Sequence, residues 1–318
     1  MVTLPTAMSA PQDSPQGHEH PDSWTRSIDA VYALFESEAN RAAYPRLADK
    51  VQKAVELCQE VLEELGPRRW ALSFNGGKDC TVLVHILSAV LRRLEKLPAR
   101  TLDPIPALYI TCTSPFEQVD EFVAESMQRY DLRLVKLGGD MKAGLEAYLD
   151  GVEEVSEVHG SFSGGPPNGT ATMEEAGNGE RRKRDCRAIF LGTRRTDPHG
   201  ADLTPRAPTD KGWPNVERVQ PILDWDYADV WAFLRCPLLA DSGDEEHGNA
   251  QSSPAKKLSG SAEGVPYCIL YDQGYTSLGS TFNTFRNPYL KSEDGQSYRP
   301  AYMLQDGSLE RCGRGKQQ

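Results

Sequence analysis

The chain has 318 residues, 39% of them hydrophobic and 25% charged, which is enough for one large domain or for one domain with a smaller appendage. Its formal net charge of -11 argues against a general nucleic-acid or membrane-surface binder, although a local basic pocket could still bind an anionic small molecule. No apolar segment approaches the roughly 20 residues of a membrane span, no secretory signal is visible, and the seven scattered cysteines are expected to be reduced thiols, so we predict a cytoplasmic protein.

The N-terminal region changes character after about residue 24. Residues 1–24 are rich in Pro, Gln, Ser and Asp, and we predict a disordered tail there. Helical periodicity begins near residues 27–35 and is clear over 44–66, where apolar residues recur at spacings of three and four. The pair Gly66-Pro67 is a typical end for this helix.

Short apolar strands then alternate with helices. The predicted strands lie at 70–74, 107–112, 132–137, 187–193 and 217–223. The predicted helices lie at 80–97, 115–130, 140–152 and 227–236. This alternation predicts right-handed βαβ units and an α/β fold, a Rossmann-like, open, mostly parallel twisted sheet with helices on both faces.

Two segments do not fit a packed core. Residues 156–180 and 241–264 are rich in glycine, serine and acidic residues, and we predict flexible surface insertions. From residue 265 the sequence carries aromatic residues, glycines and arginines with little helical period. We therefore predict a main domain over 25–240 and a small irregular C-terminal subdomain over 265–318 that completes the active site.

The stretch Ser73–Asp79, S-F-N-G-G-K-D, joins the first predicted strand to a helix. In this context backbone N–H groups and the helix dipole favour an anion, and Gly76 and Gly77 allow the backbone to approach a phosphate closely. The spacing is not that of a Walker A loop, since Asp79 stands where Ser or Thr would bind magnesium. Asn75 adds an amide that could donate to a phosphate oxygen. The alternative is a tight turn in which Asp79 only caps the helix or forms a salt bridge.

A second group of polar residues lies between the last two predicted strands. In an open parallel sheet, ligands bind beyond the carboxyl ends of the strands, where this loop must lie. It contains Asp197, Asp210, Trp213 and Arg218. The last three would suit a flat, hydrogen-bonding heterocycle that carries a phosphate. A surface loop whose tryptophan packs on the core is an equal alternative on chemistry alone.

Two arginines, Arg311 and Arg314, lie three residues apart near the end of the chain. They could be a solvated basic terminus. If the loop folds back over the phosphate site, they could instead bind a triphosphate and neutralise a leaving pyrophosphate.

Several of these stretches resemble known families. The string S-x-N-G-G-K-D resembles the S-G-G-K-D signature of the PP-loop ATP pyrophosphatases, which cleave ATP between the α and β phosphates. The stretches LGTRRTDP, D-x-x-W at 210–213 with Arg218, RVQPILDWDYADVWAFL and LYDQGYTSLGST resemble eukaryotic FMN adenylyltransferase, or FAD synthase, in its fungal single-domain form. The resemblance covers most of residues 30–318 except the two insertions. PILDWDYADVW is less specific, because it also resembles 3′-phosphoadenylylsulfate (PAPS) reductases and the small subunit of sulfate adenylyltransferase.

The resemblance implies a PP-loop nucleotide-binding domain over 25–240 that transfers AMP from ATP to the phosphate of FMN. The products would be FAD and pyrophosphate, formed by in-line attack without a covalent enzyme intermediate. The implied catalytic residues are Asn75, Asp79, Asp197, Arg311 and Arg314, with Mg²⁺ near Asp79 and Asp197 and its direct ligands left open. The implied ATP contacts are Ser73, Phe74, Asn75, Gly76, Gly77, Lys78 and Asp79, with Ile110 and Gly192 at the adenine. The implied flavin contacts are Asp210, Trp213 and Arg218.

The sequence leaves two alternative functions open. A PAPS reductase-like enzyme would use Cys312 as its reactive thiol, but ERCGRG lacks the E-C-G-[LI]-H pattern of that family. A non-catalytic flavin or nucleotide sensor would not need the two arginines. We expect a monomer that binds small molecules, with no nucleic-acid or membrane partner.

Overall fold

The computed structural model describes residues 22–66, 68–95, 104–152, 182–240 and 263–315. The predicted insertion at 156–180 and nearly all of the predicted tail and of the insertion at 241–264 lie outside these residues. The domain boundaries and the character of these segments therefore stay predictions. No helix within the described ranges is long and apolar enough to cross a membrane.

Three helices precede the sheet: α1 (Asp22–Glu36), α2 (Glu38–Ala43) and α3 (Pro45–Leu65). The short helix α2 was not predicted, because its six residues bury no side chain and so give no apolar period. Helix α3 buries the predicted apolar stripe and ends at Gly66, whose φ of 69° lies in the left-handed region that glycine adopts readily.

One mixed sheet forms the centre of the molecule. Its six strands are β1 (Trp70–Ser73), β2 (Ile105–Ile110), β3 (Leu132–Leu137), β4 (Ala188–Phe190), β5 (Arg206–Pro208) and β6 (Glu217–Val219). Four further helices are α4 (Lys78–Glu95), α5 (Glu117–Arg129), α6 (Met141–Leu149) and α7 (Tyr227–Leu234). The strand order is β3-β2-β1-β4-β6-β5, and all neighbours are parallel except β5, which runs antiparallel to β6 at the edge. The predicted α/β fold with a mostly parallel sheet is confirmed.

The order of the strands determines where a ligand can bind. From β1 the chain moves to β2 and β3 on one side, and then returns to β4 on the other side of β1. Leu72 of β1 is paired with Ala107 on one side and with Phe190 on the other. The loops that follow β1 and β4 therefore diverge and leave a crevice at the carboxyl ends of the strands.

The predicted strands are all present, with boundaries shifted by a few residues. Strand β5 was missed, because three residues that include Pro208 give no strand period, and proline occurs mainly in edge strands. Gly192 belongs to the predicted strand 187–193 but lies two residues after β4 ends at Phe190. Helix α4 begins at Lys78, two residues earlier than predicted, and this places Asp79 in its first turn.

The described C-terminal residues, 263–315, carry short 3₁₀ helices and isolated bridges. Their aromatic side chains pack edge-on around Trp231 of α7, with ring centroids 5.1 Å away for Tyr267, 5.5 Å for Tyr271 and 6.0 Å for Tyr302. Burial of these large rings stabilises the packing of residues 263–315 on α7. This packing places the segment beside the start of α4.

Candidate active site

The loop between β1 and α4 turns sharply at Gly76. Gly76 has a φ of 71°, and a Cβ at this position would lie 3.0 Å from Val123 Cγ2, so glycine is required. The Asn75 Oδ1 atom accepts the backbone N–H of Gly77 at 3.0 Å and the thiol of Cys80 at 3.0 Å. These bonds orient the amide so that its NH₂ group is the side available to a ligand.

A cavity of about 480 Å³ opens at the carboxyl ends of β1, β2 and β4. Eight of the predicted site residues line it: Ser73, Asn75, Gly77, Asp79, Ile110, Gly192, Asp197 and Arg311. Gly192 allows the close approach of α4, because a Cβ there would lie 2.9 Å from the backbone nitrogen of Cys80. The other predicted loop residues, Phe74, Gly76 and Lys78, do not line the cavity.

A smaller cavity of about 170 Å³ lies next to the first and is lined by Asp210, Trp213 and Arg218 among apolar side chains. Residues 210–213 form a turn in which the N–H of Trp213 donates to the carbonyl of Asp210 at 3.0 Å, with Gly212 at a φ of 88°. This turn explains the D-x-x-W spacing, since a type II turn needs a positive φ at its third residue. Arg218, on β6, donates to Asp210 Oδ1 at 3.1 Å across the β5–β6 pair.

The two cavities are contiguous. They share four lining residues: Ser73, Ile110, Met141 and Leu191. A ligand in the smaller cavity would therefore meet a ligand in the larger one at the end of β1.

A buried cluster of charges lies beneath the larger cavity. The Lys78 and Arg194 side chains are only 2% and 1% exposed. The Lys78 ammonium donates to Asp79 Oδ2 at 3.0 Å and to Glu310 Oε1, and Arg194 donates to the two oxygens of Glu310 at 2.9 and 2.8 Å. Arg194 Nε also lies 2.9 Å from Asp79 Oδ1, and its Nη2 donates to Asp197 Oδ1 at 3.2 Å.

The charges of this cluster are strongly coupled. Burial by itself lowers the pKa of Lys78, but the carboxylates of Asp79 and Glu310 more than offset it, so the pKa stands above its ordinary value. Burial raises the pKa of Asp197, against the opposing effect of Arg194. Two cations thus face three carboxylates, and Asp79 and Asp197 are held as fixed, partly exposed anions at the wall of the cavity.

Comparison with known proteins places the chain in a family. The model of the phosphoadenosine phosphosulfate reductase domain matches residues 69–238, more than half of the chain. A probable FAD synthase of Schizosaccharomyces pombe is 32% identical over 294 residues, which cover 92% of this chain and 89% of that one. The chain belongs to the FAD synthase family.

Two further comparisons agree with membership of the FAD synthase family. A probable FAD synthase of Caenorhabditis elegans is 33% identical over 271 residues, 83% of this chain but 40% of the longer worm protein. The crystal structure of Candida glabrata FMN adenylyltransferase in complex with FAD and inorganic pyrophosphate superposes with a TM-score of 0.63, covering 93% of this chain and 97% of that one at 23% identity. The likeness to this structure supports the fold.

The two C-terminal arginines occupy different positions. Arg311 is exposed and lines the larger cavity. Arg314 lies behind the strip 277–279, where its Nη1 donates to the carbonyl of Leu278 at 2.6 Å and its buried Nε has no hydrogen-bond partner among the described residues. Burial lowers the pKa of Arg314, and the positive charge of Arg311 adds to this effect. Arg314 therefore supports the cavity wall from behind and adds positive charge near it.

Cys312, the thiol of the reductase alternative, is exposed and lines neither cavity. A thiol in this position is not presented to a ligand at the ends of the strands. Its placement agrees with membership of the FAD synthase family and gives no support to thiol chemistry.

Arg194 and Glu310 are the residues that the sequence-based analysis missed. Arg194 belongs to LGTRRTDP and Glu310 precedes Arg311, so both stood inside stretches already singled out. A single sequence gives no sign that charges 116 residues apart form an ion pair, because the contact depends on the packing of the C-terminal segment.

Proposed function

We propose that this protein transfers the adenylyl group of ATP to the phosphate of FMN, giving FAD and pyrophosphate. The observation that carries the proposal is the contiguity of the two cavities. The larger one has the glycine loop and Arg311, which suit a triphosphate, and the smaller one has an indole, an ion pair and apolar side chains, which suit a flavin. FAD and pyrophosphate, the ligands of the Candida glabrata enzyme, are the products of this reaction.

The chemistry requires little from the protein beyond placement and charge. A phosphate oxygen of FMN attacks the α-phosphorus of ATP, the new P–O bond forms, and the bond to the bridging oxygen of the β-phosphate breaks to release pyrophosphate. Because the FMN phosphate is already anionic at neutral pH, no strong general base is needed. Catalysis then rests on positioning and on stabilising the charge of the leaving group.

The phosphate contacts are assigned to the glycine loop and to Arg311. The Asn75 amide donates to phosphate oxygens, and so do the backbone N–H groups at the start of α4 that follow the one of Lys78. Arg311 neutralises the leaving pyrophosphate from the cavity wall. Arg314 supports that wall from behind. Ile110 and Gly192 border the adenine.

The flavin is assigned to the smaller cavity. The Trp213 ring offers an aromatic face, while Asp210 and Arg218 offer an acceptor and donors to a heterocycle with both kinds of edge. The shared residues of the two cavities bring the FMN phosphate next to the α-phosphate of ATP.

Magnesium fits this site through water more readily than by direct ligation. Within the described ranges no group of three or more acidic, histidine or cysteine side chains could bind a metal ion on its own. Asp79 and Asp197 line the cavity but are already paired with Arg194, so they would bind the water ligands of a magnesium–ATP complex. The ion would supply neutralisation of the phosphate charge.

The same proposal includes a cytoplasmic monomer. All seven cysteines are unpaired, as is usual in a reducing compartment. Among the α-helical side chains whose burial the structure describes, residues 22–24 not being among them, Met141 is the only exposed large apolar one, and it lies at the two cavities. Light scattering coupled to gel filtration tests the monomer, and microscopy of the tagged full chain tests the compartment.

The decisive assay incubates the purified protein with ATP, FMN and MgCl₂, separates the flavins by chromatography and follows pyrophosphate. FAD formed in step with pyrophosphate supports the proposal, whereas pyrophosphate without FAD rejects the flavin acceptor. Turnover should be lost in Asn75→Ala and Arg311→Ala. Arg299→Ala serves as control, because Arg299 is also an exposed arginine of the C-terminal segment but lines neither cavity.

A further inference from the structure

Tyr271 joins the C-terminal segment to the glycine loop. It ends a 3₁₀ helix (Ile269–Tyr271), its side chain is only 2% exposed, and its ring packs edge-on against Trp231. Tyr271 lines the larger cavity, and its hydroxyl accepts the backbone N–H of Lys78 at 3.0 Å and lies 3.8 Å from the position of a Cβ on Gly77, which lines the same cavity. A side chain 193 residues further along the chain thus caps the first N–H of α4.

The Tyr271 hydroxyl accepts a hydrogen bond but donates none to the described residues. A phenol donates one hydrogen bond and can accept others. Here the oxygen accepts from Lys78, and no described residue accepts the hydroxyl proton of Tyr271. Since buried polar groups are nearly always hydrogen-bonded, a buried donor at a cavity wall points to an acceptor on the ligand.

The surroundings specify the kind of acceptor. At an anion-binding helix start, the first N–H groups usually point to the anion themselves. In this protein Tyr271 occupies one of those N–H groups, so its own O–H takes the place of that N–H as a donor to a ligand in the cavity, and such linked hydrogen bonds strengthen one another. Burial, together with the negative charge of Asp79, raises the pKa of Tyr271 well above its ordinary value, so the hydroxyl keeps its proton at neutral pH.

We propose that the Tyr271 hydroxyl donates a hydrogen bond to a phosphate oxygen of ATP. The inference rests on the proposed function, in which ATP occupies the larger cavity. Tyr271 then contacts the substrate directly, and the C-terminal segment supplies a neutral donor to the phosphates in addition to Arg311. A neutral donor is useful at this position, because the carboxylates of Asp79 and Glu310 also line the cavity and hold the charge of Lys78 in ion pairs.

The test compares Tyr271→Phe with Tyr267→Phe. Tyr267 is a matched control, since it is also buried and also packs on Trp231, but its hydroxyl donates to Asp272 at 2.9 Å and does not line the cavity. Loss of a hydrogen bond to a charged group should raise the dissociation constants of ATP and of pyrophosphate by about tenfold to a hundredfold in Tyr271→Phe. The KM for FMN should not change, and Tyr267→Phe should bind both ligands as the wild type does.

Binding of ATP, pyrophosphate and adenosine is measured by calorimetry, and FAD formation is measured in parallel. The affinity for adenosine, which has no phosphate, should be the same in wild type and Tyr271→Phe. Equal weakening of all three ligands would mean that the loop is distorted, and unchanged ATP affinity would mean that the hydroxyl makes no contact; either result overturns the proposal. If the wild type binds ATP but forms no FAD, only the proposed acceptor is wrong, and Tyr271 is still judged on ATP affinity. A wild type that binds neither ATP nor pyrophosphate overturns both.

Discussion

Replacing Glu310 by glutamine removes the carboxylate that Lys78 and Arg194 share. The change keeps the size and shape of the side chain but takes one negative charge from a cluster that is almost wholly buried. Lys78 keeps only Asp79, and Arg194 keeps Asp79 and Asp197, as charged partners. The amide nitrogen that replaces one oxygen is a donor and faces two donors.

The size of the effect follows from burial. Breaking a buried ion pair by changing one partner costs about 3–5 kcal/mol, and because the remaining carboxylates still neutralise both cations we expect about 3 kcal/mol for Glu310→Gln. The Arg206–Glu217 pair provides a control with the same distances, 2.9 and 2.8 Å, but with side chains 24% and 30% exposed. Glu217→Gln should cost about 1 kcal/mol or less.

The assay is urea unfolding of the wild type and both variants at low and high salt. Glu310→Gln should lose about 3 kcal/mol at both salt concentrations, whereas the smaller loss in Glu217→Gln should shrink further at high salt, since exposed charges are screened. Turnover should fall in Glu310→Gln because Arg311, the next residue, lines the cavity. Equal losses of stability in the two variants would refute the view that burial of the Lys78–Arg194–Glu310 cluster determines its contribution.

Three further outcomes are expected. Burial raises the pKa of Asp197, so the contribution of this side chain to stability falls as pH rises through its folded-state pKa. Asp197→Asn should therefore unfold at a higher temperature than wild type near neutral pH and lose this advantage below about pH 3.9. The same variant should turn over more slowly. Trp213→Ala should raise the KM for FMN by about tenfold through lost stacking, with the KM for ATP unchanged in steady-state assays. At Gly279 an added Cβ would lie 2.3 Å from Arg314 Nη2, so Gly279→Ala should lower turnover as far as Arg314→Ala does, and the double variant should be no worse; additive losses would contradict this.

Local features of the fold could be predicted because each depends on neighbouring residues. The alternation of strands and helices, the turn at Gly76 and the end of α3 at Gly66 follow from periodicity and from backbone conformations that glycine allows. Strand β5 could not be predicted in the same way, because three residues at a sheet edge gain their hydrogen bonds from β6 and not from any local preference.

The sequence by itself determined the glycine turn between β1 and α4, the end of α3 at Gly66 and the family, since these depend on short strings of residues. Only the tertiary structure decided which side chains share a charge or a hydrogen bond. It placed Lys78 in a buried cluster with Glu310, brought the Tyr271 hydroxyl to the start of α4, and set Arg314 behind the cavity wall. The physical reason is that a buried charge or donor is stable only with a partner, and the partner is whichever group the packing places next to it. The two residues of such a pair lie 36 to 232 positions apart in the sequence.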